Sequence, residues 1–287
     1  NTSSVLCHVL LPECFGINLV IKKAGHSCTE ARMGTATLRP GPHSYDGSYT
    51  EIEIEWHGYR GTFQTAVVNG DWVALMTPVS GVGTDTYLEP RIEMLWDKGG
   101  RITNEGTKIK ADLPTKTISV YATYPSISSV QLGKDPVGLS TGVARTVTEI
   151  TDLINHAKAT FRASKDRFNG DRDLSDAYDA MQTVLAWNII YDWQNDRIIT
   201  PVSRDWNVNW RGWILFEWDT YFAAYMMSMD NKELAYANAI EMTKHITDAS
   251  FGNGTFVPNL ACAAWPWTTT RDRSEPPVGS LLVWEIY

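Results

Sequence analysis

The hydrophobic repeat of this chain changes period near residue 140, which restricts it to two kinds of architecture in series. Before that point alternation of period two dominates. In Tyr49–Trp56, Ile52, Ile54 and Trp56 fall on one side and Glu51, Glu53 and Glu55 on the other, as a half-buried strand requires. Gly58 to Thr62 is expected to turn and Phe63–Val68 to resume as a strand. Asn69-Gly70-Asp71 is a hairpin signal ahead of Trp72–Met76. Further strands are expected over Arg91–Trp96, Thr107–Lys110 and Thr117–Thr123, with turn-rich stretches such as Arg39–His43 and Asp97–Gly100 between them. Many strands with no helix among them predict an antiparallel β-sandwich over residues 1–140.

After Pro136–Leu139 the period becomes helical. Val147, Ile150, Leu153, Ile154, Ala157 and Phe161 form one apolar stripe, predicting a linker helix within 141–170 that stops at Asn169-Gly170. A second helix, capped by Asp173 or Ser175, is expected to run to Tyr191. Thr220–Met229 and Lys232–Thr247 predict a helix pair around Asp230-Asn231, and Pro276-Pro277 is expected to open a last helix. Residues 171–287 therefore read as the first helices of an α-helical domain.

Composition narrows the partners. The 287 residues are 43% hydrophobic and 20% charged with a net charge of −8, so a sizeable core is affordable and disorder is excluded. An acidic chain is poorly suited to nucleic acid or an anionic membrane, both of which need clustered basic groups. No apolar run approaches the ~18 residues of a membrane helix, and no signal peptide is visible. Cys7, Cys14 and Cys28 contain no C-x₂₋₄-C pair, so neither metal nor cofactor is expected. The chain starts at Asn1 and stops inside an apolar run at Ile286-Tyr287, so both ends are expected to be cut. Nine of the 12 tryptophans follow residue 186. Such clustering predicts a deep core or an aromatic-walled pocket, the kind of surface on which sugar C–H faces stack.

Two segments hold the candidate chemistry. In Trp210–Phe222, Asp219 is expected to open a helix, either as its N-cap or as an acceptor for ligand hydroxyls beside Trp218. Asn259–Pro277 is rich in aromatic and charged groups. Its Asp272 and Glu275, with Arg271 and Arg273, read as a surface ion cluster or as part of a binding site. Two carboxylates so near in sequence cannot easily flank one glycosidic bond, which asks for a separation of roughly 5–9.5 Å across a sugar.

Three motifs in order resemble glycoside hydrolase family 63, the processing α-glucosidases and mannosylglycerate hydrolases, and more distantly the family 37 trehalases. Arg211, six residues and Trp218-Asp219-Thr-Tyr-Phe are similar to the family's Arg…Trp-Asp-Ser/Thr-x-Phe block. Gly254-Thr-Phe-Val-Pro-Asn259 is similar to its loop entering the next substrate strip. Arg273-Ser274-Glu275-Pro276-Pro277 resembles Arg-Ser-Gln-Pro-Pro, with Glu where the family has Gln. The motifs span about the last half of the chain. The resemblance implies an N-terminal sandwich followed by an incomplete (α/α)₆ barrel. It also implies a sugar subsite formed by Arg211, Trp218, Asp219, Asn259, Trp267, Arg273 and Glu275. Asp219 and Asn259 would hold hydroxyls, Trp218 would face the apolar side of the ring, and the two arginines would donate charge-assisted hydrogen bonds. The family's general acid lies in a Glu-Ser-Gly-x-Asp motif and its base is a late Glu. No Glu-Ser-Gly occurs in this sequence. The chain thus reads as an N-terminal portion of an inverting α-glycosidase, inactive by itself, with its acid and base beyond Tyr287. The rivals are a non-catalytic carbohydrate-binding protein and another (α/α)₆ hydrolase of trehalase or glycogen-debranching type.

Overall fold

The computed structural model describes residues 7–28, 36–96, 98–202, 213–248, 254–262 and 269–287. The chain divides into two compact units, Asn1–Asp179 and Ala180–Tyr287.

The first unit is β-rich. Its strands are β1 (Cys7–Leu10), β2 (Phe15–Lys23), β3 (His26–Cys28), β4 (Thr37–His43), β5 (Tyr49–Trp56), β6 (Tyr59–Val68), β7 (Asp71–Ser80), β8 (Thr86–Met94), β9 (Arg101–Asn104), β10 (Lys108–Asp112), β11 (Thr117–Ala122), β12 (Val130–Gln131) and β13 (Val137–Thr141). One antiparallel sheet runs β1-β2-β8-β12 with β3 also on β2. The other runs β4-β5-β6-β7-β13-β11-β10-β9. A single core joins them: Phe15, Ile17, Leu19 and Leu88 from the first sheet meet Ile54, Trp56, Phe63, Met76 and Val120 from the second. Two sheets sharing one apolar layer form a sandwich.

The β5–β6 connection is tighter than the sequence predicts. Of the expected turn at 58–62 only Gly58 turns, with His57; residues 59–62 are already strand, and Trp56 pairs with Tyr59. His57 and Gly58 have positive φ, 48° and 74°, which allows the two-residue turn whose twist matches the strands. Asn69-Gly70 does the same between Val68 and Asp71.

Helix α1 (Val147–Ala163) covers the outer face of the large sheet. Its Ile150, Ile154 and Phe161 pack on Tyr49, Ala66, Val73 and Leu75. Strand β7 is consequently buried on both faces, which explains its unbroken run Trp72–Met76. The same covering explains Glu51. It lies under the helix, where Lys158 binds it at 2.5 Å and the Tyr49 hydroxyl donates to it at 2.6 Å. Thr146 caps α1 through a reciprocal capping box with Glu149. A short 3₁₀ turn follows, ending at Asn169 in the left-handed region.

In the second unit, helix α2 (Arg172–Asn188), within which the division falls, stops three residues before Tyr191. Ile190–Asp192 instead pairs with Arg197–Ile199 as the hairpin β14–β15. Strand β16 (Ile214–Phe216) leads into helix α3 (Glu217–Ser228), followed by α4 (Lys232–Thr243), β17 (Leu260–Cys262) and α5 (Gly279–Ile286). Asn231 caps α4 by accepting from the Leu234 N–H at 3.0 Å. Tyr221, Ala224, Met227, Ala235, Ala239, Met242, Leu282 and Ile286 are buried. Asn238 ties the layer together, donating to the Thr220 carbonyl and accepting from the Thr200 hydroxyl, both at 2.9 Å. The tryptophans described here do not form a deep core: Trp187 and Trp284 are 69% and 74% exposed. Nor do the two prolines open the last helix, which begins at Gly279 after both have passed.

Candidate functional site

The site is built around the first turn of α3. β16 pairs with β17 through Ile214↔Cys262, Leu215↔Ala261 and Phe216↔Leu260, which brings Asn259 beside the start of the helix. The next segment folds back on it, with the Thr270 N–H donating to the Leu260 carbonyl and the Asn259 N–H to the Arg273 carbonyl. This doubling carries Glu275 to the same place.

Helix α3 begins two residues earlier than Asp219, so Asp219 is not its N-cap. The cap residue is Phe216, which has no side chain able to accept. The first N–H groups of a helix still need acceptors. The Asn259 carbonyl takes the Glu217 N–H at 3.1 Å. The Glu275 carboxylate takes the Trp218 N–H at 3.1 Å, from 57 residues away in sequence. A carboxylate there also meets the positive end of the helix dipole. Asp219 sits in the first turn instead, accepting from the Trp218 indole and from its own N–H, and burial raises its pKa.

Four of the seven residues implied by the resemblance, Trp218, Asp219, Asn259 and Glu275, are thus brought together. Asn259 contributes its side chain to the Glu275 carboxyl as well. Trp218 keeps 40% of its surface open. Arg273 is adjacent through its backbone, but its guanidinium turns to Asp272 at 2.9 Å, and both side chains are exposed. Of the ion cluster expected over Arg271–Glu275, the Arg273–Asp272 pair forms, while Glu275 is committed to the helix start. Arg211 and Trp267 lie outside the described residues.

Glu217 is the residue that sequence reasoning missed. It is 2% exposed, and its Oε2 has no hydrogen-bond partner among the described residues. The carboxyl accepts from the Gly279 N–H. Burial, then the charge of Glu275, push its pKa up to about 7. Glu275 itself is raised by burial and by Asp219. The signal was present: counting back from Met227 and Ala224 through Tyr221 and Thr220 places position 217 on the buried helical stripe. Three carboxyl groups around one helix start can accept hydroxyl hydrogens, and Glu217 can hold a proton near neutral pH; no cluster among the described residues is suited to a metal ion. Compared with known proteins, no family model matches the chain and no curated protein matches it.

Proposed function

We propose that the Ala180–Tyr287 unit carries the sugar-binding subsite of an inverting α-glycosidase that resembles family 63 and is built on an (α/α)₆ barrel. The observation that supports this reading is the convergence of Trp218, Asp219, Asn259 and Glu275 at the start of α3. A half-open indole suits the C–H face of a pyranose, while a carboxylate and an amide beside it suit the hydroxyls. In such an enzyme one carboxylic acid protonates the leaving oxygen and a second activates water on the opposite face. In the family these roles belong to its Glu-Ser-Gly-x-Asp and late-Glu motifs, and no Glu-Ser-Gly occurs in these 287 residues. The 287 residues are therefore expected to bind sugar without cleaving it.

Titration of the chain with methyl α-glucoside and methyl α-mannoside, followed by tryptophan fluorescence, tests the subsite. Saturable binding is expected, weakened at least about tenfold by Asp219→Ala. No saturable response to either sugar rejects the reading. A carbohydrate-binding role without chemistry is favoured by one observation, the absence of Glu-Ser-Gly anywhere in the sequence. Release of reducing sugar from α-linked disaccharides by a longer form of the protein would exclude that alternative.

A further inference from the structure

A cleft of about 820 Å³ lies in the second unit on the Glu217–Tyr221 side of α3. Its walls include Tyr221, Ile246, Phe256, Val283 and Trp284, with Glu217 among them. Trp218, Asp219, Asn259 and Arg273 do not line it, so it is separate from the proposed sugar subsite. Among the described residues, Glu217 supplies the single acidic side chain lining the cleft, and no Lys, Arg or His side chain lines it.

From this arrangement we infer that the cleft binds an organic ammonium ion with an apolar or aromatic body. The argument is one of complementarity. A buried carboxyl whose one oxygen has no partner among the described residues, and which faces no cation among them, leaves its charge uncompensated. Aromatic faces beside it add attraction for a positive head and surface for an apolar tail. A sugar fits poorly, because it needs polar partners around its ring. Three of the hydroxyls present are already engaged: Thr243 bonds the Tyr221 hydroxyl and the Ala239 carbonyl, and Ser274 donates to the Glu275 carbonyl. Gly279 completes the fit. A Cβ there would lie 2.7 Å from the Tyr221 ring, so only glycine lets α5 approach closely enough to hold the Glu217 carboxyl with its N–H.

The balance is a proton exchange. The bound ammonium needs Glu217 as the carboxylate, so the fraction of Glu217 that is protonated gives its proton to solvent. The charged groups that bear on this step are few. Glu275 acts on Glu217 directly and Asp219 acts on Glu275, both favouring the protonated acid. Burial pushes the Tyr221 phenol up, so it stays neutral across the range tested, and Lys232 of α4 donates to the Tyr287 backbone oxygen at 3.3 Å.

The experiment is calorimetric titration of the 287-residue chain with 2-phenylethylamine and with its neutral counterpart 2-phenylethanol. Each is run at pH 7 in two buffers of different ionisation enthalpy. The amine is expected to bind about tenfold tighter than the alcohol and to release about half a proton. Glu217→Gln is expected to abolish both differences. Equal affinities, no binding of either compound, or a preference that survives in Glu217→Gln overturns the inference. Should that variant not fold, the wild-type chain decides the matter. Amine affinity is expected to fall about tenfold from pH 8 to pH 6 while that of the alcohol holds, and an unchanged amine affinity overturns the inference.

Discussion

Glu217 ionises at a cost, because burial and the charge of Glu275 both favour its neutral form. Its folded pKa of about 7 stands above the ordinary glutamate value of roughly 4.3. A raised pKa means that the folded state holds the proton more tightly than the unfolded state. The stabilisation is therefore complete below the unfolded pKa and is lost as pH rises through about 7. The loss from this one group amounts to about 2–3 kcal/mol between pH 5 and pH 8. Urea unfolding of the wild type and of Glu217→Gln at both pH values measures it. The variant is expected to lack this component of the pH dependence, and parallel behaviour of the two proteins would assign Glu217 an ordinary pKa. Position 217 was legible as part of the buried stripe of α3. Its electrostatic environment was not, because Glu275 reaches it only through the fold.

At the scale of elements, the hairpin β14–β15 depends on one cation. Arg197 donates to Asp192 at 2.9 Å and to Glu241 of α4 at 3.1 Å; both carboxylates are buried and the arginine side chain is 10% exposed. His245 lies beside the guanidinium, and burial together with the positive charge of Arg197 lowers its pKa. Replacing Arg197 with Met leaves the buried Asp192 without its counterion and Glu241 with Lys244 alone, which is expected to cost about 3–5 kcal/mol, read as a lowered urea midpoint. Acid has a related effect. Burial pushes the Asp192 carboxyl up, but hydrogen bonds from Asn195 and Arg197 outweigh it and hold the group below the usual carboxylate range. That contribution is present above the unfolded pKa, roughly 3.9, and is lost as pH falls through the depressed folded value. An acid transition in Arg197→Met identical to that of the wild type would show that Asp192 gains nothing from the arginine.

At the scale of the molecule, the helices of the second unit leave much apolar surface in water. Leu281, Trp284 and Tyr287 of the last helical segment are exposed, as are Phe222, Tyr225 and Ile240. A set of this kind exceeds the scattered single hydrophobics of an ordinary surface and favours association. The chain is accordingly expected to self-associate in sedimentation experiments above micromolar concentration, with Leu281→Lys shifting it toward monomer. A monodisperse monomer at all concentrations would contradict this. The first unit shows the opposite economy: its large sheet has one face in the sandwich core and the other covered by α1.

The sequence by itself determined what local chemistry controls. Period-two alternation and the Asn69-Gly70 turn determine the paired strands, and the stripe from Val147 to Phe161 with its Thr146–Glu149 box determines α1. Those features act over a few residues, through backbone sterics, capping and amphipathicity. What only the tertiary structure decided is everything that depends on distant segments. That α1 covers the outer face of the sheet, that α3 begins at Glu217 with a carboxylate from position 275 on its N–H groups, and that Arg273 turns away toward Asp272 are outcomes of chain doubling. A helix start needs an acceptor but does not specify its source. Where the local sequence supplied only Phe216, which cannot accept, the fold supplied Glu275.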